Sequence, residues 1–314
     1  MFALVNFVVG IVALVYSSKY LLSSLAGITK RLKLPIVVVG VLLLALSTSL
    51  AELTVGIHAA LNGTPALSLG DVLGTNIVNL TLILGVIIVI NRGVKIAKNQ
   101  LPKQLKLTSL LAVATLLIVM LDGALSRTDG VILLSIFVIH VVSTYNIDRI
   151  NQRIKHKLHN RTKHQIPVQL FAVFIASAIV LIVSGFAVVN SAVSIAQFFG
   201  VSEFVVGLLV LAIGTSLPEM AVAIRASHQK TPILSIENLI GAVTINVTLV
   251  IGIVATISPF SIYNDSAWSL SVALVILAMI YIWHMRYKRL SFLFGLGLIV
   301  IYAGFLLAQV ATSL

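Results

Sequence analysis

Long apolar stretches alternate with short polar breaks along the whole chain, and about ten stretches reach the ~20 residues a helix needs to cross a bilayer. Their limits read as Phe2–Leu25, Pro35–Leu61, Leu69–Ile90, Leu105–Leu121, Val131–Tyr145, Val168–Val189, Phe204–Ala226, Ile236–Ile257, Ala267–Trp283 and Leu290–Val310. Isolated strands would leave backbone groups unpaired in lipid, so every stretch is predicted to be a helix. The fold class that follows is an all-α membrane protein. The first stretch has no basic leader and no small-residue cleavage site, and it is expected to be retained.

The pattern occurs twice. Ser47-Thr48-Ser49-Leu50-Ala51-Glu52 returns as Gly214-Thr215-Ser216-Leu217-Pro218-Glu219, with Glu52 and Glu219 offset by 219 − 52 = 167 residues. At that offset Val38-Val39-Gly40 faces Val205-Val206-Gly207, Thr64-Pro65 faces Thr231-Pro232, and Leu67-Ser68 faces Leu234-Ser235. Gly74, Asn79, Thr81, Leu82 and Gly85 likewise recur as Gly241, Asn246, Thr248, Leu249 and Gly252. Apolar composition alone would not hold polar residues and glycines at fixed offsets, so the chain reads as an internal duplication. Residues 1–146 form the first five-helix repeat with its motif over 38–85, 147–166 a basic linker, and 167–314 the second repeat with its motif over 205–252. Five helices is an odd number, so the second repeat must be inverted relative to the first.

Composition excludes a water-soluble fold: 59% of the 314 residues are hydrophobic and 10% charged, with a mean hydropathy of +1.13. Without cysteine there are no disulfides or thiolate metal sites. The net charge of +12 does not point to nucleic acid, because the basic residues cluster in alternate connections. Nineteen of the 21 Lys and Arg fall on one side, at residues 30–33, 92–106, 149–163, 225–230 and 286–289. The positive-inside rule makes that side cytoplasmic and puts both termini outside a prokaryotic-type inner membrane. Lys19 can snorkel toward the inner headgroups, and Arg127 lies in an outer loop beside Asp122 and Asp129.

Nine acidic residues remain to be placed, and only Glu52 and Glu219 are expected to be deep; Asp71 and Glu237 are set near the start of their spans. A carboxylate at the bilayer centre costs about 2.5–3.5 kcal/mol on insertion scales, and no Lys or Arg is expected at that depth. The choice lies between cations or protons on the pair and two protonated acids packing the helices together. Thr48 and Ser49 share a helical face with Glu52, as Thr215 and Ser216 do with Glu219. Carboxylate, hydroxyl and freed carbonyl oxygens suit a hard cation such as calcium. Pro218 removes the helical partner of the Gly214 carbonyl, whereas Ala51 leaves the first copy less sharply broken. Asn79 and Asn246 offer amide oxygens, with Thr75 and Asn76 beside Asn79; the second copy has Ala242 and Val243 instead. Gly74, Gly85, Gly241 and Gly252 are read as places where helices approach, and His58 and His228 as ordinary polar helix ends.

The doubled motif, Ser47 to Glu52 with Gly74-Thr75-Asn76-Ile77-Val78-Asn79 and Gly214 to Glu219 with Gly241, resembles the two alpha repeats of the cation/calcium exchanger superfamily, in its sodium/calcium exchanger branch. The resemblance implies a secondary antiporter working by alternating access, with Glu52 and Glu219 as shared Ca2+ and Na+ ligands. Thr48, Ser49, Thr215, Ser216, Thr75 and Asn79 assist them, and Asn246 stands where prokaryotic members often carry Asp. The expected partners are calcium and sodium ions and the lipid bilayer, with H+ as the alternative driving ion, no cofactor and a monomeric state. A membrane enzyme lacks a Ser–His pair or metal cluster in the sequence, and a receptor lacks a soluble sensing domain. Two deep carboxylates carry a formal charge of about −2, from which a shallow sodium dependence is expected.

Overall fold

The computed structural model describes residues 2–31, 36–95, 123–153, 168–228, 232–261 and 289–313. The fourth and ninth apolar stretches, Leu105–Leu121 and Ala267–Trp283, lie outside the described residues, as do Lys33 and Lys230. The other eight stretches fall on helices. The first two are α1 (Phe2–Arg31) and α2 (Ile36–Leu61). The third is continuous from α3 (Pro65–Val78) through a π-turn, π1 (Asn79–Ile83), into α4 (Leu84–Ile90). The fifth and sixth are α5 (Arg127–Arg153) and α6 (Val168–Phe199). The seventh runs through α7 (Glu203–Val206), π2 (Gly207–Leu211), α8 (Ala212–Thr215) and α9 (Leu217–His228). The eighth is α10 (Pro232–Ile245), π3 (Asn246–Val250) and α11 (Ile251–Ile257), and the tenth is α12 (Phe292–Ser313). Six of these eight are long and apolar enough to cross a membrane by length and composition.

The duplication is visible in local structure. Adding 167 to the bounds of α3, π1 and α4 gives 232–245, 246–250 and 251–257, the bounds of α10, π3 and α11. Each π-turn opens at the repeated Asn, and an inserted residue of this kind shifts the helical hydrogen bonds and often marks a working site.

The C-terminal ends of α2 and α6 stop in the same way. Gly63 and Gly200 take positive φ of 73° and 67°. Thr64 N–H reaches the Ala59 carbonyl at 2.9 Å, and Val201 N–H reaches that of Ala196 at 3.1 Å. This closure needs a left-handed residue, which glycine adopts without a Cβ penalty. Helix α5 begins with a capping box: Ser126 N–H and Oγ–H donate to Asp129 Oδ2 at 2.9 and 2.7 Å, and Asp129 N–H donates back to Ser126 Oγ at 3.2 Å. It continues to Arg153, past the start of the basic linker at Ile147.

The halves interleave. Helix α1 packs along α6, α5 packs on α11, and α12 packs on α4. At 30 and 32 residues, α1 and α6 are about 45 and 48 Å long, well beyond the ~30 Å hydrocarbon core, so they must tilt or protrude. Their outer faces present Val5, Val8, Val12, Phe171, Ile175, Ile182 and Phe186, which are exposed in the protein and suited to lipid contact.

Two short ribbons tie the halves together. In one, β1 (Val94–Lys95) pairs antiparallel with β4 (Arg289–Leu290); in the other, β2 (Ala124–Leu125) pairs with β3 (Phe260–Ser261). Each joins two loops that the charge pattern assigns to the same face. Lys95 and Arg289 are opposite each other in the ribbon on the basic face.

Candidate cation site

Helix α3 and the π2 segment pack backbone on backbone. A Cβ on Gly70 would overlap the Phe204 carbonyl, one on Gly74 the Leu208 carbonyl, and one on Gly207 the Leu67 carbonyl. Small residues spaced i, i+4 permit this approach, and Gly70-Asp71-Val72-Leu73-Gly74 is such a pair. The crossing sets Asp71 and Thr75 of α3 against Thr215 of the seventh span.

Glu52 and Glu219, at 0% and 1% exposure, are both buried between the repeats. Among the described residues, none of their four carboxylate oxygens has a hydrogen-bond partner. Each glutamate follows a local break. The seventh span bends at Ser216 (φ −81°, ψ −2°), between α8 and α9. In the first copy Ser49 leaves helical geometry (φ −109°, ψ 15°) although Ala51 replaces the proline. The bend belongs to the matched serine position, and proline is not required for it.

Around this pair lie the other candidates. Ser49 and Ser216 are buried; Ser49 Oγ has no partner, while Ser216 Oγ donates to the Ala212 carbonyl at 2.7 Å. The backbone of Thr48 is helical, and its side chain is outside those described. Asn79 is wholly buried with neither amide atom bonded. Asn246 Nδ2 donates to Asn76 Oδ1 across the two repeats at 3.3 Å, which aligns the amides and leaves Asn246 Oδ1 unbonded. Thr75 and Thr215 meet at 3.1 Å between their hydroxyl oxygens. The structure thus brings Thr75, Asn76, Asn79, Thr215 and Asn246 together from both halves.

Asp71 corrects the sequence reading. Expected near the start of its span, it is instead 0% exposed, and Thr215 Oγ1 donates to its Oδ1 at 2.9 Å. Glu52, Glu219 and Asp71 all lie within electrostatic reach of one another. Glu52, Asp71 and Glu219 are thus three buried carboxyl groups where the sequence reading expected two. The spacing Asp71, Thr75, Asn79 at successive helical turns, together with the Gly70/Gly74 pair, was the available signal for it.

The matched glycines are not equivalent. Gly74, Gly85 and Gly252 do lie at close helix approaches, but a Cβ on Gly241 would meet nothing within 4 Å. His58 Nδ1 sits 2.8 Å from the Thr54 carbonyl, and its ring meets Phe186 edge-on, as befits a helix-end side chain. Ser68 and Ser235, a matched pair not singled out as site residues, are buried with unbonded hydroxyls.

Known proteins share this arrangement. The inner membrane protein YrbG of Escherichia coli K12 is 31% identical over 282 residues, 87% of this chain and 85% of its own. The sodium-calcium exchanger NCX_Mj has the same fold at a TM-score of 0.66 and 22% identity, over 98% of both chains. The H+/Ca2+ exchanger CAX matches at 0.74 and 16% identity, over 98% of this chain and 87% of its own. Those two structures speak for the fold, a helical membrane architecture of two repeats. The pattern of the sodium/calcium exchanger protein family matches residues 2–146 and 169–311, and the chain belongs to that family of membrane transporters.

Proposed function

We propose that the protein is a secondary antiporter that exchanges Ca2+ for Na+ by alternating access, with Glu52 and Glu219 as the ligands both ions share. The observation that carries this reading is the matched pair of buried carboxylates whose four oxygens have no hydrogen-bond partner among the described residues. A buried charge needs compensation, and hydroxyl and amide oxygens in place of basic groups mean that a cation must supply it. Thr48, Ser49, Thr215, Ser216, Thr75, Asn79 and Asn246 complete an oxygen-rich environment suited to calcium, which takes six to eight such ligands, and to sodium.

Matched breaks at Ser49 and Ser216 precede the two glutamates, and in an inverted pair of repeats they would approach the site from opposite sides. The long α1 and α6 are the elements whose sliding would open it to one side and then the other. The protein works in a cell membrane as a monomer with both termini outside.

Reconstituted proteoliposomes test the reaction. An outward sodium gradient should drive calcium uptake; uptake that follows an imposed pH gradient and ignores sodium would replace sodium with protons as the driving ion. No uptake under either gradient would end the antiport reading. Orientation has its own test in this cysteine-free chain. Cysteines replacing the exposed Asn62 and Gln197 should label only from outside, and those replacing Lys33 and Lys230 only from inside. The reverse pattern would invert the assignment.

A further inference from the structure

The two ribbons are matched by the duplication and differ in charge. Adding 167 to the bounds of β1 gives 261–262, beside β3 at 260–261, and adding it to those of β2 gives 291–292, beside β4 at 289–290. The ribbon of β2 and β3 carries Ala124, Leu125, Phe260 and Ser261. In the ribbon of β1 and β4, Val94 and Leu290 are 3% and 2% exposed and fix it to the core, while the opposed pair Lys95 and Arg289 is exposed. Like charges directly opposite each other in an antiparallel pair are destabilising.

A third cation is added at a cost to the backbone. Arg92 is exposed and takes φ 51°, alone among the described non-glycine residues in the left-handed region. Its counterpart 167 residues on is Pro259. The turn it makes, closed by Gly93 N–H on the Ile88 carbonyl at 2.8 Å, would suit glycine better. Arg289 folds back over this turn, with its Nε 3.7 Å from where a Cβ on Gly93 would lie. Cations from both repeats are thus held on one small, core-anchored surface, an arrangement that a bound anion stabilises.

Beside them the surface is apolar. Ile90, which ends α4, is exposed, as are Leu293, Leu296 and Val300, which share one face of α12. Basic groups next to an apolar helix face fit a phospholipid, with its phosphate on the cations and its acyl chains along the helix.

We propose that Arg92, Lys95 and Arg289 bind the phosphate of an anionic phospholipid whose acyl chains lie on the exposed face of α12. The site is independent of the antiport reading; only its assignment to the cytoplasmic leaflet follows from the orientation given above.

The test uses the purified full-length protein in neutral detergent micelles doped with phosphatidylglycerol or phosphatidylcholine, its thermal unfolding midpoint being followed against lipid mole fraction. A ligand that binds only the folded state raises the midpoint. Phosphatidylglycerol should raise it saturably, and phosphatidylcholine should not. Lys95→Gln and Arg289→Gln should each increase the half-saturating mole fraction about fivefold, as expected for loss of one basic contact to an anionic headgroup. Arg92→Gly separates binding from folding: without lipid its midpoint should equal or exceed that of the wild type, because the left-handed strain is gone, and its lipid response should still weaken. A triple variant of the linker, Arg149→Gln with Arg153→Gln and Lys155→Gln, removes three charges elsewhere and should respond like the wild type. Equal responses to the two lipids, wild-type responses in the ribbon variants, or an equal loss in the linker variant overturn the proposal. So does an equal rise with inorganic phosphate at matched ionic strength in lipid-free micelles, which would make this an anion site without a lipid. Absence of calcium transport in proteoliposomes would leave the lipid site standing.

Discussion

The third and eighth membrane helices have the same bounds at an offset of 167, the same π-turn and the same Asn at its start, yet they present different chemistry. The third carries Asp71, Thr75 and Asn79 along one face; the eighth carries Asn238, Ala242 and Asn246. Packing amplifies the difference. Gly70 and Gly74 let α3 touch the π2 backbone and bury Asp71 completely, whereas Glu237 replaces Gly70 in the second copy, a Cβ on Gly241 would meet no described residue within 4 Å, and Asn238 stays half-buried. A duplicated element thus keeps its backbone while one glycine decides whether the neighbouring polar residue is sealed from water. Charge and burial changed together, so the two halves of the site are not interchangeable.

The largest expected effect lies where the halves are still alike. Glu52→Gln and Glu219→Gln should each lower calcium transport on the order of a hundredfold, since removing one partner of a buried charged contact costs about 2–5 kcal/mol. Both variants should insert normally, because a neutral side chain enters the membrane more easily than a charged one. Radioactive calcium flux and surface labelling of the same vesicles check both halves of the statement. Wild-type flux in either variant would remove that glutamate from the site and make even this matched pair unequal.

A smaller effect separates the two glycines. Gly74→Ala forces a methyl into the Leu208 carbonyl and should destabilise the fold by about 1–3 kcal/mol, the usual cost of overpacking. Gly241→Ala has open space and should be neutral or stabilise by up to about 1 kcal/mol through helix propensity. Thermal unfolding of both in detergent measures the contrast; equal shifts would show that the crossing is not tighter in the first half.

The smallest effect is expected from moving the charge. Asn238→Asp places a carboxylate at the position equivalent to Asp71, but a half-buried group keeps part of its hydration and is screened. The sodium concentration for half-maximal exchange should change less than about twofold. A shift as large as that caused by Asp71→Asn would mean that burial is not what distinguishes the two positions.

The three acids also revise the coupling expected from the sequence. Two deep carboxylates predict a shallow sodium dependence with a Hill coefficient near two; if Asp71 also takes part in ion binding, wild-type exchange should show a coefficient nearer three. A coefficient near two would leave Asp71 outside the transport cycle.

Much of this protein is legible in its sequence, because membrane crossing and duplication are local properties. Length and apolar content locate the helices, a fixed offset exposes the repeat, and an acid in the middle of an apolar run must be deep wherever its helix packs, which is how Glu52 and Glu219 stand out. The bends were only partly legible: Pro218 pointed to one, but the first copy also leaves helical geometry at Ser49 without a proline. Depth near the end of a span is another matter. Asp71 lies six residues after Pro65 and would reach water if nothing covered it; the Gly70/Gly74 crossing with a helix more than 130 residues away seals it and supplies the Thr215 hydroxyl at 2.9 Å. The Asn246–Asn76 link between repeats and the idle space at Gly241 are decided in the same way. Burial of a helix-end residue depends on which backbone lies against it, and that is set by packing between distant segments, not by the residues on either side.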